Sequence, residues 1–129
     1  MANPNIVNVT SIYGTTTYLT PVTSNTVVLL ANPVSSNKIL KLNTLLATNV
    51  DGTNSINATI SLYSNGAISQ NSTPSGGNTY PLVYLVSVPA GATLSLLDKS
   101  IYLQENNSVV VTSGTASKLN YTISYDEIS

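Results

Sequence analysis

The chain has 129 residues, 7% of them charged: four Lys against five Asp or Glu, with no Arg, no His and no Cys. Its length fits one domain with a single core, and the lack of Cys rules out a disulfide framework or a thiolate metal site. So few cations would release few counterions from a nucleic acid, no apolar run reaches the roughly 18 residues of a membrane helix, and the usual general base and thiol nucleophile are missing.

Residues 1–37 and 52–97 carry no charged side chain, their polarity coming from Ser, Thr and Asn. Soluble domains are usually about one quarter charged, and a net charge near zero favours association. The composition therefore suits a member of an assembly. Residues 1–5 contain no basic segment and no signal-type apolar core, so synthesis in a cytoplasm is expected.

Residues 6–13 alternate and read as an opening strand ending at Gly14; the β-branched run 15–20, stopped by Pro21, reads as a short edge strand. Residues 26–31 are continuously apolar between Ser24-Asn25 and Asn32-Pro33, as in a strand buried on both faces. Residues 38–50 admit two readings. A helix would put Ile39, Leu42, Leu45 and Leu46 on one stripe; a long strand would need a bulge near Thr44 to absorb the phase shift at Leu45-Leu46, and is preferred.

Asp51-Gly52 marks a turn. Residues 57–63 alternate with Ala58, Ile60 and Leu62 inward, and 66–79 form the longest loop. Strands follow at 80–88, 93–97, 101–104 and 108–112, with Asn106-Asn107 read as a β-hairpin turn because Asn tolerates positive φ. The last run, 119–128, sets Leu119, Tyr121, Ile123 and Tyr125 against Asn120, Thr122, Ser124 and Asp126, one face buried and one wet. About eight to ten short antiparallel strands with Gly, Pro and Asn turns predict an all-β single domain over residues 1–129, a β-sandwich or jelly roll. The expected core is Val9, Val28, Leu42, Ile60, Val86, Leu94, Leu96, Leu103, Val110, Tyr121 and Ile123.

The candidate chemistry is thin. Asp98, Glu105, Asp126 and Glu127 flank strands and read as turn and rim residues, so no catalytic residue, metal ligand or cofactor site is expected. The segment Asp51-Gly52-Thr53-Asn54-Ser55 has oxygen ligands at calcium-loop spacing but lacks further carboxylates; an Asx turn explains it. Sequons at Asn8, Asn57, Asn71, Asn106 and Asn120 are expected by chance in a chain this rich in Asn, Ser and Thr.

The opening residues 1–14, the phrase Val88-Pro89-Ala90-Gly91-Ala92-Thr93-Leu94, the segments Leu97-Asp98-Lys99 and 101–109, and the finish Ser124-Tyr125-Asp126-Glu127-Ile128-Ser129 resemble small β-sandwich virion structural proteins of tailed phages infecting marine cyanobacteria. Such proteins often have Gly-Asp where this chain has Asn106-Asn107. The resemblance implies a virion location and no catalytic residues. It points to a capsid decoration (cement) protein bound to the major capsid protein and to copies of itself, as a homotrimer. The alternative is a neck or tail adaptor or fibre-type module, binding a receptor or glycan with Tyr63, Tyr80 and Tyr84 against sugar rings. No nucleic acid, membrane or cofactor is implied. An uncharged edge strand is poorly protected against pairing, so an N-terminal arm of about residues 1–20, with Pro4, Ile6, Asn8, Tyr13 and Tyr18, is expected at a protein contact.

Overall fold

A computed structural model describes residues 8–129. The expectations at Pro4 and Ile6 lie outside the described residues. Among the described residues are nine strands: β1 (Ile12–Leu19), β2 (Val27–Asn32), β3 (Ile39–Asn49), β4 (Ile56–Tyr63), β5 (Thr79–Val88), β6 (Thr93–Ser95), β7 (Ile101–Leu103), β8 (Asn107–Ser113) and β9 (Leu119–Ile128). All pair antiparallel, in two sheets ordered β1-β9-β3-β6, with β7 also on β3, and β2-β8-β4-β5. β6 lies along Leu46–Thr48 and β7 along Leu40–Leu42, so together they act as one interrupted strand beside β3. With those two taken as one, eight positions in two sheets, filled by a chain that keeps changing sheet, make a jelly roll.

The alternation of β9 sets the inner face of its sheet. Leu119, Tyr121 and Ile123 are fully buried and pack with Leu40, Leu42, Leu45 and Ala47 of β3 against Ile60, Val109 and Val111 of the facing sheet. β3 is a strand over its whole length, and its register against β9 shifts between Leu42 and Thr44. The bulge returns Leu45 to the core side, as the adjacent leucines require.

β2 is buried on both faces, for two different reasons. Val27, Leu29 and Leu30 enter the main core, whereas Val28 joins Tyr63 and Val110 in a second cluster on the outer side, roofed by Ile68. The loop after β4 supplies that roof. It bonds along the β2 edge, Val28 N to Ser72 O at 3.0 Å and Asn71 N to Val28 O at 2.8 Å.

Three local expectations are corrected. Gly14 does not end a strand: β1 runs through it in unbroken register with β9, Gly14 opposite Asp126, and residues 8–11 precede the strand. Asn106 has the positive φ foreseen (60°), yet the turn is not a hairpin, because β7 pairs with β3 while β8 pairs with β2 and β4. The same backbone permissiveness serves a crossing between layers. Val86 is 37% exposed on β5, and Val9, Leu94 and Leu96 are only half-buried.

Two buried asparagines close the crossings. Asn32, the last residue of β2, donates through Nδ2 to Lys38 O (2.9 Å) and Leu103 O (3.0 Å) and accepts from Ser36 Oγ (2.6 Å). Asn49, the last residue of β3, donates to Asn54 O (2.8 Å) and Val88 O (3.0 Å) and accepts from Asp51 N (2.8 Å). Each ties its own exit turn to the end of a strand distant in sequence. Around Asn32 the packing leaves no room for a side chain at Gly66, where a Cβ would lie 2.1 Å from Asn32 O.

Tyr121 carries its hydroxyl into the core, where it donates to Thr112 O at 2.5 Å. Burial pushes its phenol far above the ordinary tyrosine range. Burial and the nearby Glu127 carboxylate also raise Tyr125, partly offset by Lys38, which is ion-paired to Glu127.

Removing either buried amide strands backbone carbonyls, each costing about 1–3 kcal/mol. Asn32→Ala and Asn49→Ala should therefore each lose at least about 2 kcal/mol in urea unfolding, whereas the exposed Asn57→Ala should stay within about 0.5 kcal/mol. The raised phenols give a signed pH dependence. The unfolded chain releases their protons near pH 10 and the native chain retains them, so this stability is complete below pH 10 and falls as pH rises above it. In Tyr121→Phe the unfolding free energy should decline less steeply above pH 10, by about 1.4 kcal/mol per pH unit for the one proton removed.

Candidate interaction surface

The described residues hold no group of three or more His, Cys, Asp or Glu placed to hold a metal ion. Asp51 does what the Asx turn requires. Its Oδ1 accepts from Thr53 N (2.9 Å) and Asn54 N (3.2 Å), and these backbone bonds hold its carboxyl below the usual carboxylate range. No helix among the described residues is long and apolar enough to cross a membrane.

The surface features that stand out are apolar and uncharged. β5 pairs with β4 along one side only, and Tyr80, Leu82, Tyr84 and Leu85 are exposed, Tyr84 to 68%. Their exposure follows from what the facing sheet offers. Tyr80, Val83 and Val86 sit opposite Leu62, Ile60 and Ala58 of β4, whose side chains point inward. A strand in that register would bury its inner face if a long strand lay across from it. The facing flank instead consists of β6 and β7, three residues each and separated by residues 96–100. β5 therefore forms a lip that only Val83 and Val88 tuck into the core. Near its Tyr80 end, Leu62, Tyr102, Leu103, Gln104 and Asn107 line an open cavity of about 170 Å³. Small-molecule sites usually occupy about 300–1,000 Å³, so this cavity suits a single inserted side chain.

The second surface is β1, the edge of the other sheet, with Ile12, Tyr13 and Tyr18 exposed to 58%, 66% and 70%. Asn8 is exposed just ahead of it. Tyr13 and Tyr18, expected on two successive strands, lie on one edge strand, and that strand pairs with β9 inside its own domain.

The tyrosines named for sugar stacking are divided. Tyr63 is buried to 6% and its hydroxyl accepts from Gly77 N at 3.0 Å, so its ring is closed to a ligand; Tyr80 and Tyr84 remain open. Of the β5 run only Val86 was expected in the core, and the exposure of Leu82 and Leu85 was not anticipated. Pro81 was the available signal, since proline within a sheet belongs at an edge.

No family model matches the sequence, and no curated protein matches it. Among solved structures the chain is similar to one from the Bacillus endospore appendages, described as a novel family of disulfide-linked pili, at 13% identity and a TM-score of 0.48, covering 92% of this chain and 87% of that one. It is also similar to a chain of the IBDV viral particle, at 7% identity and a TM-score of 0.46, covering 92% of this chain and 30% of that one.

Leu82 and Tyr84 contribute surface to solvent and little to the core. Leu82→Ser and Tyr84→Ser should each change unfolding free energy by no more than about 0.5 kcal/mol and should reduce binding of a hydrophobic fluorescent dye. Leu103→Ala, in the core, should cost about 2–5 kcal/mol in the same titration.

Proposed function

We propose that this chain is a non-catalytic structural subunit of a phage virion, and in its most specific form a capsid decoration protein seated on the major capsid protein. The observation that carries the reading is the β5 lip: a row of uncharged apolar side chains left open along one flank of the sandwich. An isolated monomer gains nothing from that exposure, and exposed apolar patches mark interaction sites. A decoration subunit uses such a surface by burying it at a junction of the shell. Each junction adds a modest free energy, and the shell repeats it many times. The paucity of charge fits the same role, as does a jelly roll, although a fold alone fixes no function. The subunit would be made in the host cytoplasm and reside in the virion, without a cofactor.

A second reading, a neck or tail adaptor or a fibre-type glycan-binding module, draws on the open rings of Tyr80 and Tyr84. Densitometry of purified virions separates the two. The decoration role predicts a copy number comparable to that of the major capsid protein, and loss of the subunit from the shell in Leu82→Asp or Tyr84→Asp. A copy number far below that of the capsid protein, together with tyrosine fluorescence that responds to oligosaccharides, would support the second reading.

A further inference from the structure

The two sheets have four outer edges among the described residues, and three of them are defended. The β2 edge is occupied by the backbone of Asn71 and Ser72. The β5 edge contains Pro81, two register shifts and Leu85 at a φ of 51°, so it offers no regular row of donors and acceptors. The β6 and β7 edge is broken into pieces of three residues. β1 is different: eight residues in unbroken register, with no proline and no charge. These are the devices that blunt a sheet edge, and β1 has none of them.

The direction of its free groups can be read from the ladder. Ser11 and Ser129 exchange both backbone bonds, at 3.1 and 3.0 Å. In an antiparallel pair such bonded positions alternate with unbonded ones, so Tyr13, Thr15, Thr17 and Leu19 bond to β9. Ile12, Gly14, Thr16 and Tyr18 turn their N–H and C=O outward. Gln70 Nε2 reaches Tyr18 O at 3.4 Å and Thr17 Oγ1 at 3.1 Å, which confirms the phase and covers that end. The stretch from Ile12 to Thr16 is left with outward groups that have no partner among the described residues.

We propose that this stretch pairs with the same stretch of a second copy, antiparallel, about a two-fold axis at Gly14. The two sheets then continue into one across the dimer. Only a partner in the same alternation can bond to every outward group, and a second copy has that alternation by identity. Centring on Gly14 uses all of the uncovered stretch. It sets Ile12 opposite Thr16 of the second copy on the outer face and Tyr13 opposite Thr15 on the inner face, in aliphatic–β-branched and aromatic–β-branched pairs of the kind that stabilise sheets. Gly14 meets Gly14 on the axis and β1 itself carries no charge; the nearest is the Asp126 carboxylate on the neighbouring strand, whose Oδ1 lies 3.8 Å from the Gly14 Cβ position, so each copy brings one carboxylate to the flank of the junction. The homotrimer that the resemblance implies would, if closed through β1, need a second, different edge complementary to β1, and none of the other edges among the described residues is regular enough to serve. The dimer stands independently of a role in a virion.

Light scattering on the full chain should show a monomer–dimer equilibrium that moves with concentration. Thr16→Pro removes an outward N–H that β9 does not use, so it should give a monomer with unchanged circular dichroism. Because the chain has no cysteine, thiol cross-linking reports the register without background. Under oxidation Gly14→Cys should cross-link into a covalent dimer, since bonded antiparallel pairs place Cα atoms about 5.5 Å apart, within the disulfide range of about 4.4–6.8 Å. Thr16→Cys, facing Ile12, should not. The proposal is overturned by a strictly monomeric wild type, by a trimer mass, by a folded Thr16→Pro that still dimerises, or by equal cross-linking of both cysteine variants. It is overturned as well if the amides of Ile12, Gly14 and Thr16 are protected from exchange in a monomer at every dilution, which would mean that the chain covers its own edge.

Discussion

Crossing from one sheet to the other is the constraint on which this structure depends. A strand within a sheet finds its backbone partners beside it, but a chain that leaves a sheet carries N–H and C=O groups past the rim of the core, where neither sheet can satisfy them. Asn32 and Asn49 solve this in the same way. Each is buried to 1% exposure at the last position of a strand, and each uses the donors and acceptor of one amide to bind the exit turn and a remote strand end together. Aspartate would lack the donors, and leucine, branched alike but bulkier, would leave the carbonyls of Leu103 and Val88 stranded. The layers are thus held in register at their rims by two short polar side chains, while the leucines and valines between them supply the bulk of the burial.

How far the sequence could be read depends on the range of the interaction involved. The face of β9 was legible because its alternation is local, and so was the bulge in β3, because two adjacent leucines cannot both face one core without it. The partner of a strand was not legible. Asn106 offers positive φ, and a hairpin and a crossing both use it; only the pairing of β7 with β3 decides between them. Asn32 reads as turn punctuation and Asn49 as one more residue of the segment 38–50, since nothing near either announces that Leu103 or Val88 will come within reach. For the interaction surface, Tyr13 and Tyr18 were read as edge residues from the absence of charge. Val86 was misread, because its burial depends on the short length of strands across the sandwich rather than on its own neighbours.

The two open surfaces sit on different sheets and differ in kind. The β5 lip presents side chains on an irregular backbone, suited to filling a depression in a partner whose own shape sets the fit. The β1 edge presents backbone on a regular strand, suited to a partner of matching periodicity. Because so little of the skin is charged, neither surface is steered by long-range fields, and recognition rests on shape and hydrogen bonding at contact.

The place of β9 in its sheet also governs when the fold can form. The final strand lies between β1 and β3, and β8 likewise lies between β2 and β4. Until residues 107–128 are available, β1 has no neighbour in its sheet and β2 has none in its own. A ribosome releases the chain from the other end, so the first strands emerge and wait. Pairing across such sequence separations is slow to nucleate, and β1 waits with both of its edges open and no charge to keep it from its counterpart on a neighbouring nascent chain. The Thr15-Thr16-Thr17 run gives that waiting segment hydroxyls where Val or Ile, equally good strand formers, would give it apolar surface.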